Sequence, residues 1–230
     1  MSRSGLLLLL SSSLALSGCM TAGAWLAMPF LFERAELPEP QVLRDLAYRD
    51  DAAADSQKHR LDLFLPRAPG SDGPRWPLLV FVHGGGWTSG DKDHRSGGRD
   101  VYANIGRFFA SNGVGTAVVN YRLQFGVTWR EQVADVADAV AWLGERVPGL
   151  GGDPEAIFLS GHSAGAQLVT RVALDRALSA ERGLPRICGL VPVSGAGYDL
   201  ADGETYELGA SRRYYERRFR AADPGDAWLR

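Results

Sequence analysis

The chain has 230 residues, 45% of them hydrophobic and 10% aromatic, which suits one packed domain with or without a tail. Its 25 Lys and Arg against 27 Asp and Glu leave a formal charge of -2, with no basic excess to draw it onto nucleic acid.

The first element in chain order is a leader. MSRS precedes an apolar run from Leu6 to Leu16, interrupted by serines, which is too short for a spanning helix of about 20 residues. It ends in Leu16-Ser17-Gly18-Cys19, which resembles the bacterial lipobox, where the leader is cut before a cysteine that takes the lipid. This implies a signal peptide over 1–18, a tether over 19–40 carrying Trp25, Phe30 and Phe32, and a protein held to the cell-envelope membrane through Cys19. A plain signal peptide or an uncleaved anchor is the alternative. With Cys19 lipidated, Cys188 is the one thiol left, no internal disulfide forms, and Cys188 reads as a small buried hydrophobe.

The domain begins near Gln41 and runs over 41–230. RDLAYRD and HRLDLFLP predict two strands, the second half-solvated because LDLF alternates apolar and polar residues. Leu78 to Val82 is an unbroken apolar run, as are stretches within Gly113 to Leu123, IFLSG and ICGLVPVSGA; such runs suit strands buried on both faces. Helical periodicity covers Val101 to Ser111, Thr128 to Arg146 and Ala164 to Ala180. Strands alternating with helices predict an α/β class: a mostly parallel sheet with helices on both faces. After it, SRRYYERRFR predicts a helix with a solvated basic face and Tyr214, Tyr215 and Phe219 turned inward.

Two glycine corners carry the chemistry. Gly161-His162-Ser163-Ala164-Gly165 matches G-x-S-x-G between a strand and a helix, where a serine sits on a strained turn that leaves no room for side chains beside it. The helix that follows aims its N-terminal amides at the reacting oxygen. His83-Gly84-Gly85-Gly86-Trp87 also follows a buried strand, and consecutive glycines let backbone N–H groups approach an anionic oxygen. A phosphate loop would want a lysine and a helix start directly after it, and WTSGDKDHRSGG follows instead.

The order HGGGW, NYRL, GHSAG resembles the α/β-hydrolase fold, and within it the hormone-sensitive-lipase-like carboxylesterases and the related feruloyl-esterase and arylformamidase-type enzymes; the likeness spans about Asp45 to Leu200. The resemblance implies a serine carboxylic-ester hydrolase without metal or organic cofactor, with Ser163 as nucleophile and the amides of Gly84, Gly85 and Ala164 as oxyanion hole. It also implies an acid and then a histidine after the serine, and no histidine follows His162. His83 reads as a loop-fixing residue, His162 is turned away by the elbow, His59 opens a strand at the surface or the core edge, and His94 is a surface histidine just past the glycine turn. Asp199 reads as structural, and neither it nor Asp202 stands where the family places the acid. The expectation is therefore an α/β-hydrolase lacking its last strands, cut short by roughly 60 to 80 residues, two strand–helix units of about 30 each. Such a chain would be weakly active or inactive on small or aryl esters, with an apolar sheet edge left at VPVSGA. A non-catalytic binding module and an aryl formamidase or amidase are the competing readings; oligomeric state is not legible.

Overall fold

The computed structural model describes residues 41–68, 70, 72–124, 126–200 and 212–219, so the leader, the tether, Cys19 and Asp202 lie outside the described residues. Six strands form one sheet in the order β1-β2-β6-β3-β7-β8. They are β1 (Val42–Ala47), β2 (Arg60–Phe64), β3 (Trp76–Val82), β6 (Gly115–Val119), β7 (Gly152–His162) and β8 (Ile187–Val193). β1 and β2 pair antiparallel at one side, and β6, β3, β7 and β8 run parallel, as buried apolar runs joined by helices require.

The alternation of side chains across β3 separates two cores. Phe81 joins Phe64, Val118 and Tyr102 on the face covered by α1 (Val101–Ser111). Leu78, Val80 and Val82 face the opposite way, toward α2 (Trp129–Arg146) and α3 (Ala164–Leu174), where Val136, Val140, Leu168 and Val169 complete the larger cluster. α2 starts at a capping box, with Thr128 Oγ1 accepting from Glu131 N and Glu131 Oε2 accepting from Thr128 N.

Three expectations are corrected. The run from Ala164 to Ala180 is two helices, because Asp175 caps α4 (Arg176–Arg182) by accepting from Ala177 N and Leu178 N. β2 is buried from Leu61 to Phe64: Asp62 lies inside because the equally buried Lys92 pairs with it at 2.9 Å, and Lys92 also meets Asp45 at 2.7 Å and Asp93 at 2.6 Å. His59 is also fully buried, its Nε2 lying 3.1 Å from Asp135, whose carboxylate receives Arg122 Nη2 at 2.7 Å and Nε at 2.9 Å. Burial alone would raise the Asp135 carboxyl; the bonds from His59 and Arg122 outweigh it and hold the group below the usual carboxylate value.

The other side of the sheet is uneven. β8 is an edge strand among the described residues, with Val191 56% and Val193 43% exposed, so the fourth apolar run is not buried on both faces. Cys188 is exposed there as well, and not the buried residue that its apolar neighbours suggest. A short hairpin, β4 (Arg95–Ser96) with β5 (Arg99–Asp100), interrupts the loop after the glycine turn. Gly97 and Gly98 take positive φ at its tip, as a two-residue turn of that type demands.

Candidate active site

β7 delivers Ser163 at its carboxyl end. Ser163 has φ 53° and ψ -117°, a conformation that costs a non-glycine residue about 1–3 kcal/mol. Its N–H is held by Val193 O at 2.9 Å, at the end of β8, while its own carbonyl accepts from Ala166 N and Gln167 N in the first turn of α3. The flanking glycines are needed for contact. A Cβ on Gly161 would lie 2.5 Å from the Gly165 carbonyl, and one on Gly165 would lie 2.3 Å from Val82 O and 2.5 Å from His83 O.

That last approach brings the elbow onto the end of β3, where the glycine turn begins. A Cβ placed on Gly84 would stand 3.2 Å from Ser163 Cβ and 2.8 Å from His162 Nδ1. The two corners predicted from sequence therefore share one place, with Ser163 half-exposed between them.

The carbonyls of the turn constrain its amides. In a trans peptide the N–H points opposite the preceding C=O. His83 Nδ1 lies 2.8 Å from Gly84 O, a carbonyl that only accepts, so the proton is on Nδ1 and the Gly85 N–H points the other way. Gly85 O accepts from Ser89 N at 3.0 Å, Thr88 N at 3.3 Å and Ser89 Oγ at 2.8 Å, which fixes the Gly86 N–H likewise. By contrast, the Gly84 N–H donates to Tyr102 Oη at 3.3 Å. The Gly85, Gly86 and Ala164 amides have no acceptor among the described residues. The expected donor Gly84 therefore has its N–H on Tyr102, whereas the amides of the expected donors Gly85 and Ala164, and also of Gly86, bond no described residue.

Aromatic residues brace this turn. Tyr121 stacks on His83 with centroids 4.6 Å apart and donates its hydroxyl to His83 O at 3.3 Å. Trp87 is buried at φ 63°, donating Nε1 to Gln167 Oε1, and its carbonyl accepts from Gln132 Nε2 at 2.8 Å and Gln124 N at 2.9 Å. α5 (Arg212–Phe219) packs on Trp87 through Tyr215 and Phe219, both buried as expected, with Tyr214 half-buried.

All four histidines fall within the described residues, and none bonds the Ser163 hydroxyl. His59 is committed to Asp135. His94 is half-buried, its ring 6.0 Å from that of Tyr102, and so is not the plain surface residue expected. Burial lowers His162 and lowers His83 to about 4. An unfolded His83 takes a proton near pH 6.5, whereas the folded one resists it until about pH 4. Stability should therefore fall as pH drops between those values. From pH 7 to 5 the wild-type protein should lose about 2 kcal/mol more unfolding free energy in urea than His83→Asn, and equal losses would contradict a buried neutral His83.

Residues 61–183, more than half of the chain, match the BD-FAE family. The chain belongs to the BD-FAE family. Among similar proteins, a probable isoprenylcysteine alpha-carbonyl methylesterase of Oryza sativa subsp. japonica is 35% identical over 143 residues, covering 62% of this chain and 31% of its own length. The probable carboxylic ester hydrolase LipM of Mycobacterium tuberculosis is 30% identical over 159 residues, 67% of this chain and 35% of its own. The BD-FAE chain thus spans about a third of the length of the curated relatives it matches. Among solved structures, esterase B from Lactobacillus rhamnosis inhibited by a tributyrin phosphonate superposes with a TM-score of 0.62 at 23% identity, covering 97% of this chain and 67% of that one. A putative thioesterase from Silicibacter sp. gives 0.55 at 28% identity, covering 79% and 57%. The fold is that of the α/β-hydrolase esterases.

Proposed function

We propose that the chain carries the nucleophile and oxyanion hole of a serine carboxylic-ester hydrolase acting on small or aryl esters. The observation that supports this most is the strained Ser163 set against a glycine turn whose outward carbonyls are all held from behind. Ser163 Oγ attacks the ester carbonyl, and the amides of Gly85, Gly86 and Ala164 receive the negative charge on its oxygen without having to reorient. Collapse of the tetrahedral intermediate expels the alcohol, and water then frees the acid from the acyl-serine. The family membership and the ester-hydrolase names of the relatives agree with this reading.

The proton relay is a separate matter. With no histidine bonded to Ser163, these residues by themselves should acylate slowly; loss of the triad histidine costs about 10⁶ in turnover in a serine protease. The same observation is what favours a non-catalytic binding module. Against it, the strain at Ser163 stabilises nothing in a protein that only binds. The test is phosphonylation by a fluorophosphonate: the adduct should map to Ser163 and form faster with added imidazole, and a chain left unlabelled under both conditions would favour the binding module.

We also propose membrane anchoring through a lipidated Cys19 in the cell envelope, on the strength of Leu16-Ser17-Gly18-Cys19. Cys19→Ser should move the protein from the membrane to the soluble fraction; unchanged fractionation would contradict it.

A further inference from the structure

We propose that Tyr214 is a specificity-determining residue, a wall held in place by Arg218 that limits the ester's group on the oxyanion side of the cleft to short acyl chains. The proposal rests on the ester-hydrolase reading and adds a substrate class to it.

The placement of α5 carries the argument. Its residues reach both segments that flank Ser163. On one side, Tyr214 Oη lies 2.7 Å from where a Cβ on Gly86 would stand, and Arg218 Nε donates to Gly86 O at 3.0 Å. On the other, the Tyr215 ring lies 3.3 Å from where a Cβ on Gly197 would stand, in the segment after β8, the strand whose Val193 holds the Ser163 amide. α5 therefore touches both the glycine turn and the post-β8 segment.

Tyr214 is not free to swing. The Arg218 guanidinium stacks on its ring at 3.6 Å and donates Nη1 to its carbonyl at 3.1 Å, while Gln124 Nε2 donates to Arg218 O at 2.8 Å. Because Arg218 also grips Gly86 O, the ring and the proposed oxyanion donor at Gly86 are fixed to one another. An acyl chain bound with its carbonyl oxygen at Gly86 meets a phenol set in one rotamer. Steric exclusion of this kind discriminates by size.

The experiment compares kcat/KM for p-nitrophenyl acetate and octanoate in the presence of imidazole, counted above the Ser163→Ala background, in the wild-type protein and in Tyr214→Ala, Tyr214→Phe and Arg218→Leu. Tyr214→Ala should raise the octanoate-to-acetate ratio about tenfold, mostly through KM. Tyr214→Phe, which keeps the ring, should leave the ratio within about twofold. Arg218→Leu should raise it by an intermediate amount, and gives a second reading should the alanine variant fold poorly. Ser163-dependent turnover with an unchanged ratio in Tyr214→Ala and Arg218→Leu would overturn this proposal alone. Absence of any Ser163-dependent turnover even with imidazole would overturn it together with the ester-hydrolase reading.

Discussion

Gly165→Ala should destabilise the protein by about 3 kcal/mol, the upper end of what overpacking costs, and should slow phosphonylation of Ser163 by about 100-fold in the molecules that still fold. The methyl group has nowhere to go: its neighbours at 2.3 and 2.5 Å are the carbonyl oxygens of Val82 and His83, backbone atoms at the end of a central strand. Relief requires β3 and the start of α3 to part, which moves the glycine turn away from Ser163 and disrupts both corners at once. Gly149→Ala is the control, because nothing lies within 4 Å of the Cβ it would add, and it should stay within about 0.5 kcal/mol of wild type. Urea unfolding of the two variants decides the matter. Equal stabilities would mean that the close approach of elbow and turn is not a constraint on the fold.

The second large effect concerns the proton on Ser163. If the nucleophile and the oxyanion donors are in place and only the base is unassigned, a small base from solution should substitute for it. Imidazole should accelerate fluorophosphonate labelling of the wild-type chain at least about tenfold, below the 10² to 10⁴ given by a positioned base because a free one must be captured first. The effect should saturate with imidazole and vanish in Ser163→Ala. Labelling that is fast without imidazole and indifferent to it would show that one of His59, His83, His94 or His162, or another group, already serves as base, contrary to their placement here.

The sequence made the elbow and the class legible for a physical reason: the glycines at 161 and 165 and the apolar runs around them admit few other structures. Helix α1 was readable to the residue and α2 to its Thr128 cap, since periodicity and capping are local signals. The hairpin tip at Gly97-Gly98 and the cap at Asp175 were also present as local signals but were outweighed by the longer patterns around them. What could not be read was long-range pairing. The burial of Asp62 depends on Lys92, thirty positions on, and that of His59 on Asp135. The proposed shift of the oxyanion donors from Gly84 to Gly86 has the same origin: the HGGG pattern is symmetric to the eye, and only Tyr102, Ser89 and the His83 ring decide which amide is occupied and which carbonyls are held. Tyr214 and Arg218 were visible as an aromatic, basic helix, yet their seat over Gly86 was not.

The most direct measurement is a crystal structure of the protein after phosphonylation by a small fluorophosphonate. With the phosphorus on Ser163 Oγ, the phosphoryl oxygen should lie about 3 Å from the amide nitrogens of Gly85, Gly86 and Ala164, with Gly84 N still on Tyr102. A phosphoryl oxygen turned to solvent, or bound by Gly84 with Gly86 facing away, would contradict it.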